Sequence, residues 1–186
     1  VQYSSDKIPI IAGTGANSTR EAIYLTSAAK EVGAKAALLV TPYYNRPTQE
    51  GLVKHYEAIS SEVDLPQILY NVPSRTACDL LPETIAILSD NDNIVGLKEA
   101  SKDISRIRKL KQELEKRPNG EDFLLYSGDD ISACNFLSNG GHGIVSVTAN
   151  VFPDKMAKIC DLSLKGFIDK AVEEDNKLND LHQALF

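Results

Sequence analysis

A chain of 186 residues with a formal net charge of −6 has room for one domain with a sizeable core, and its acidic balance argues against a nucleic-acid footprint, which would show as a basic stripe. Hydrophobic residues at 42% and charged residues at 25% are ordinary for a globular protein. No apolar run approaches the roughly 20 residues needed to span a bilayer, and no secretory signal is visible, so a cytoplasmic protein is the default expectation.

Short apolar runs alternate with longer helical ones along the whole chain. The pattern predicts a strand at Ile8–Ala12, a helix at Ser18–Val32 that Gly33 ends, a strand at Ala36–Val40 and a helix at Thr48–Val63. A strand at Gln67–Asn71 leads into a turn at Pro73-Ser74 and a short helix at Pro82–Ser89, with Pro near its start. Next come a strand at Ile94–Lys98, a helix at Asp103–Lys116, a strand at Phe123–Ser127 and a helix at Asp129–Leu137, which opens on acidic residues as a helix N-terminus favours. A strand at Gly143–Val147 and a helix at Pro153–Leu164 complete six β/α units. The last segment, Asp169–Phe186, reads as an amphipathic helix whose Ala171, Val172, Leu178, Leu181 and Leu185 need a partner.

Six mostly apolar strands joined by helices imply an α/β protein with a parallel sheet covered on both faces. Two architectures compete: an open doubly wound sheet and a closed (β/α)8 barrel. Gly13-Thr14-Gly15-Ala16-Asn17 after the first strand is a weak phosphate-loop signal, lacking the third glycine of the dinucleotide spacing. Its Asn17 or Ser18 suits a helix cap. Polar residues clustered after strand after strand favour the barrel, with its active site at the strands' C-terminal face. Val1-Gln2-Tyr3 enters without an initiator Met and the end on Leu185-Phe186 is abrupt, so the expectation is an internal fragment of a barrel, with 1–166 the partial barrel and 167–186 the start of a C-terminal helical domain.

The chemistry centres on Lys98, at the end of its strand. Alternation puts Ile94, Gly96 and Lys98 on one face, with glycine leaving room for a ligand beneath the amine. A sheltered lysine loses its proton more readily and can attack a ketone; the alternative is a solvated lysine at a strand end. Tyr70 ends the preceding strand, either as a proton carrier or as a packed ring with its hydroxyl in water. Arg75 either grips a carboxylate with two parallel hydrogen bonds or pairs on the surface with Asp79 or Glu83. The stiff loop Thr41–Pro47 projects Tyr43 and Tyr44, suited to a subunit contact or a site wall, or to lying on the surface. Gly140-Gly141-His142-Gly143 reads as loop. Three widely spaced cysteines (Cys78, Cys134, Cys160) fit reduced thiols, and three histidines (His55, His142, His182) form no zinc pattern.

Taken together, Ala12–Asn17, Thr41–Pro47, Tyr70–Thr76, Gly96–Ala100, Ser127–Asp130 and Ser146–Asn150 resemble, in order, the dihydrodipicolinate synthase family of pyruvate-dependent class I aldolases, whose superfamily includes N-acetylneuraminate lyase. Tyr-Asn-Val-Pro-Ser-Arg-Thr followed by Lys-Glu-Ala is the most specific part. The resemblance implies a (β/α)8 TIM barrel, of which this chain carries strands 3 to 8, and a tetramer of tight dimers. It implies condensation of pyruvate with L-aspartate 4-semialdehyde to 4-hydroxy-tetrahydrodipicolinate, in lysine and diaminopimelate biosynthesis, with no cofactor beyond the covalent imine. It makes Lys98 the Schiff-base lysine, Tyr70 the proton relay, Arg75 the holder of the semialdehyde carboxylate, and Tyr44 the residue that completes a neighbour's relay. Gly128 and Val145 would lend backbone around pyruvate, and Asn17, Glu21 and Tyr43 match positions for the inhibitor L-lysine. The family's Gly-Thr-Thr-Gly-Glu segment, which cradles the pyruvate carboxylate, has no counterpart here, so the isolated chain is expected to be inactive. The competing expectations are another 2-keto acid aldolase, which Arg75 disfavours, and a non-catalytic fragment.

Overall fold

The computed structural model describes residues 1–4 and 7–185, so Phe186 of the predicted last helix lies outside the described residues. The chain divides into two compact units, Val1–Leu97 with Lys109–Phe123, and Lys98–Arg108 with the described residues from Leu124 onward.

In the first unit, β1 (Ile11–Gly13), β2 (Ala36–Val40) and β3 (Gln67–Asn71) pair in parallel, and β4 (Ile94–Glu99) begins beside β3, with the Gln67 N–H on the Asn93 carbonyl at 2.7 Å. β1 is shorter than the predicted Ile8–Ala12. Its first paired residue is Ile11, matched to Ala36, and Ile8 is exposed. The connecting helices are α1 (Thr19–Glu31) and α2 (Gln49–Glu62), then α3 (Pro73–Thr76) and α4 (Pro82–Leu88). Ser18 caps α1 by accepting the Glu21 N–H, and Thr48 caps α2 by accepting the Gly51 N–H at 3.1 Å, satisfying donors that a helix start leaves open. Leu39, Leu52, Tyr56, Ile59, Leu69, Leu80, Ile85 and Leu88 are fully buried. The glycine-rich turn after β1 answers to packing: a Cβ on Gly15 would stand 2.4 Å from the Val40 backbone nitrogen of β2.

The second unit takes the end of β4 with β5 (Leu124–Ser127) and β6 (Gly143–Ile144), followed by α6 (Ala133–Ser138), α7 (Pro153–Leu164), α8 (Ile168–Asn176) and α9 (Asn179–Ala184). α5 (Ser105–Leu114) follows β4 in the chain and is shorter than Asp103–Lys116, because Asp103 accepts both the N–H and the hydroxyl of Ser105 just ahead of it. Three further expectations are corrected. The helix read at Asp129–Leu137 starts at Ala133: Asp129 accepts the N–H and hydroxyl of Ser132, and Asp130 accepts the N–H groups of Val147 and Thr148. The strand read to Val147 stops at Ile144, and Thr148–Asn150 form a 3-10 turn. The terminal amphipathic helix is two helices, α8 and α9, broken at Lys177-Leu178. Ala171 and Leu178 join Cys134, Met156 and Ile159 in a core, while Val172 and Leu185 stay exposed.

Neighbouring strands follow chain order, β1-β2-β3-β4-β5-β6. A doubly wound sheet reverses its order at a switch point; an unbroken succession is the order of a (β/α)8 barrel, and the fold is a partial one. Among the described residues, no helix is long and apolar enough to cross a membrane.

His55 on α2 offers a stability test within this frame. Its Nδ1 lies 2.8 Å from the Thr19 hydroxyl, its Nε2 is buried with no hydrogen-bond partner among the described residues, and burial pushes its pKa down to about 4. The unfolded chain takes up this proton near pH 6.5, so the stability of the folded state is complete above that pH and is lost as pH falls towards 4. The loss should approach about 3 kcal/mol. Urea titrations between pH 7 and 4 should show this decline, and His55→Gln should flatten it.

Candidate active site

In each unit taken by itself, the candidate residues lie at or after the C-terminal ends of its strands. In the first unit, Tyr70 is half-buried at the end of β3, and its carbonyl accepts the Thr41 N–H at 3.0 Å. Burial pushes the Tyr70 phenol above its usual range while the positive charge of Arg75 pulls it back, so the hydroxyl keeps its proton at neutral pH. Arg75 is exposed and lies in α3, a four-residue helix opened by Pro73, where the sequence suggested only a turn. The two acids considered as its surface partners have other contacts: Glu83 meets Lys109 at 2.7 Å and Asp79 accepts from Asn71 at 2.9 Å.

Two residues of the Tyr70–Thr76 motif with no role in the chemistry hold this turn together. The buried Asn71 donates to Asp79 and accepts the Leu80 N–H at 3.0 Å. The buried Thr76 hydroxyl accepts from the Thr41 hydroxyl at 3.3 Å and the Cys78 N–H at 3.2 Å, and points at the Val72 and Cys78 carbonyls. Thr76 also receives the Tyr44 N–H on its carbonyl at 3.3 Å. That bond supports Tyr44 in a left-handed conformation (φ 71°), rare for a residue with a side chain, with its ring 87% exposed. Tyr43 is also exposed. Asn17 donates to Asn45 at 3.3 Å and accepts the Asn45 side-chain amide on its carbonyl at 2.9 Å, which joins Asn17 to the loop carrying both tyrosines. Glu21 is exposed on the first turn of α1.

In the second unit, Lys98 is half-buried at the end of β4. Burial pushes its amine below the usual lysine value, and the negative charge of Asp130 opposes that shift. Gly128 lies flat against the lysine stem: a Cβ there would meet Lys98 Cε at 2.7 Å, Ala100 Cβ at 2.9 Å and Lys98 Cγ at 3.0 Å. The Gly128 N–H bonds the Glu99 carbonyl and the Val145 N–H bonds the Ser127 carbonyl, both at 2.8 Å, extending the ladder past the ends of β5 and β6. Lys98, Gly128 and Val145 thus belong to three adjoining strand ends. Glu99 faces away, buried, accepting from Arg106 at 3.3 Å and from the Ser101 N–H at 2.8 Å.

Two residues here escaped the reading of the sequence. Asp130, taken for a helix-terminus acid, is buried, and its negative charge acts on Lys98. His182 is 1% exposed and bonds the Thr148 hydroxyl at 2.7 Å. A sequence signal for His182 exists: it falls four residues after Leu178, on the apolar face of its segment. Among the described residues, no cluster of His, Cys, Asp or Glu could hold a metal ion.

The family model described as the dihydrodipicolinate synthetase family matches residues 1–186. A curated relative, the 4-hydroxy-tetrahydrodipicolinate synthase of Alcanivorax borkumensis, is 54% identical over the whole chain, which spans 62% of that relative's length. Among solved structures, the chloride-inhibited dihydrodipicolinate synthase from Acinetobacter baumannii complexed with pyruvate is 49% identical with a TM-score of 0.92. The lysine-bound enzyme from Cyanidioschyzon merolae is 36% identical, also at 0.92. Each covers all of this chain, and the chain covers 62% of each.

Gly128→Ala tests how the lysine is held. The added methyl overlaps the Lys98 stem and Ala100, so a crystal structure of the variant should show Lys98 swung to another rotamer, with stability lowered by about 1–3 kcal/mol in urea titration. An unmoved Lys98 would contradict the packing described.

Proposed function

Because the chain belongs to the dihydrodipicolinate synthetase family, we propose that it carries the imine-forming lysine of a 4-hydroxy-tetrahydrodipicolinate synthase, a cytoplasmic lyase of lysine and diaminopimelate biosynthesis. The substrates are pyruvate and L-aspartate 4-semialdehyde. The observation that carries this reading is the half-buried amine of Lys98 at the end of β4, with its stem confined by Gly128.

The chemistry follows from that placement. Loss of solvation disfavours the ammonium and supplies the neutral amine that a ketone requires. The Lys98 amine adds to the pyruvate carbonyl. A proton from Tyr70 and loss of water convert the carbinolamine to an iminium, so no separate cofactor is needed. Loss of a methyl proton gives the enamine, whose carbon attacks the semialdehyde. The phenol of Tyr70, kept protonated by burial, suits the donor role. Arg75 holds the semialdehyde carboxylate through its guanidinium fork. Gly128 and Val145 contribute backbone around pyruvate. Tyr44, exposed and braced by Thr76, extends to a neighbouring subunit of a homotetramer and completes its relay. Asn17, Glu21 and Tyr43 form part of an inhibitory L-lysine site; the joining of Asn17 to the tyrosine loop supports this. Helices α8 and α9 open the C-terminal helical domain.

Borohydride reduction in the presence of pyruvate tests the central step. In a longer protein that also carries the carboxylate-cradling segment, peptide mass spectrometry should find the reduced adduct on Lys98 and none in Lys98→Ala; an adduct on another lysine, or one surviving that substitution, would refute the assignment. Arg75→Ala should weaken use of the semialdehyde by about 2–5 kcal/mol, the cost seen when a charge pair is truncated, with pyruvate trapping little changed. Equal losses for both substrates would count against the carboxylate role.

A further inference from the structure

Asp130 is a carboxylate with one oxygen committed and one free. Its Oδ2 accepts the N–H groups of Val147 and Thr148, each at 2.9 Å, which fixes it to the backbone just after β6. Its Oδ1 is buried and has no hydrogen-bond partner among the described residues, and the side chain is 1% exposed. A buried carboxylate oxygen without a partner is costly unless a positive charge answers it. The loop that holds it is itself anchored from behind. The Thr148 hydroxyl meets His182 Nδ1 at 2.7 Å, and His182 Nε2 meets Asp175 at 3.3 Å, so α8 and α9 brace the turn that clamps Asp130. Two residues before Asp130, Gly128 touches the Lys98 stem. Charged and titratable groups around Asp130 include Lys98 from β4, Asp175 from α8 and His182 from α9.

We propose that Asp130 is the positioning counter-charge of Lys98, fixed by the loop after β6 and stabilising the cation on that nitrogen, first as the ammonium and then as the protonated imine. The imine half of this statement rests on the functional reading above; the ammonium half does not. When the amine condenses with the ketone, one proton is taken up and one water leaves, and the nitrogen keeps a positive charge. The negative charge of Asp130 acts through space on that nitrogen whenever it is cationic. Desolvation therefore frees a neutral amine for attack, while Asp130 limits the cost of the cation that follows.

Two measurements separate the parts. The Lys98 amine, reductively 13C-methylated and followed by NMR, should titrate at a lower pH in Asp130→Asn than in the parent, because removing the carboxylate removes what favours the cation. An unchanged midpoint overturns the proposal, whatever the enzyme does. Asp130→Asn keeps an acceptor for both N–H groups and deletes only the charge. The rising limb of its pyruvate–borohydride trapping profile should move to lower pH by about one unit, a tenfold change in neutral amine at fixed pH. Weaker trapping with an unmoved profile would reduce Asp130 to a backbone clamp and refute the counter-charge. If a longer protein that also carries the carboxylate-cradling segment traps no pyruvate at any pH, the functional reading fails, and the amine titration still decides the proposal.

Discussion

The chemistry proposed for this molecule depends on how far the Lys98 amine is separated from water. An ammonium taken out of solvent loses hydration energy, and the neutral form gains relative to it. Lys98 is the second-last residue of β4, with a buried residue on each side of it, Leu97 and Glu99, and its stem lies against the bare backbone of Gly128. Burial is the larger influence and Asp130 the smaller opposing one, so the amine is easier to deprotonate than a surface lysine without being stripped of electrostatic support. A fully apolar surround would leave no compensation for the iminium, and a solvated lysine would remain charged and unreactive at neutral pH.

The remainder of each unit serves to hold short polar turns rigid at the strand ends. Asn71 and Thr76 tie down the turn between β3 and α4, Asn71 through the Asp79 carboxylate and the Leu80 N–H, Thr76 through the Thr41 hydroxyl and the Cys78 N–H. Gln49, at the start of α2, does the same from outside, donating to the Asp79 carbonyl at 2.7 Å and accepting from Leu81 and Thr84. A turn so constrained fixes the origin of the Arg75 side chain while its guanidinium stays in solvent, which suits capture of an anionic group. Tyr44 shows the same economy, its unfavourable backbone supported by a bond to the Thr76 carbonyl.

Much of this was legible in the sequence because local rules and tertiary packing agree. β2, β3 and α7 have the predicted bounds, and Ser18 and Thr48 cap the helices they precede. Polar clusters at successive strand ends and the family resemblance already pointed to the barrel, and the consecutive pairing of the strands bears that out. The misses share one cause. Asp129 and Asp130 look like helix-terminus acids, but Asp130 bonds residues 17 and 18 positions later and Asp129 sits 3.4 Å from Lys102. β6 stops early because Val147 and Thr148 give their N–H groups to Asp130. His182 contacts a threonine 34 residues earlier. Periodicity carries no information about such pairings, and so the support behind Lys98 stayed hidden while Lys98 itself stood out.

The most direct test of the central claim is the ionisation of one nitrogen. Reductive 13C-methylation, with the Lys98 signal assigned by its loss in Lys98→Ala, allows that amine to be titrated by NMR. Its midpoint should lie below 10.5, the ordinary lysine value, and the reactive neutral form should be populated accordingly. A midpoint at or above that value would mean the amine is not sheltered, and the Schiff-base role would lose its physical basis.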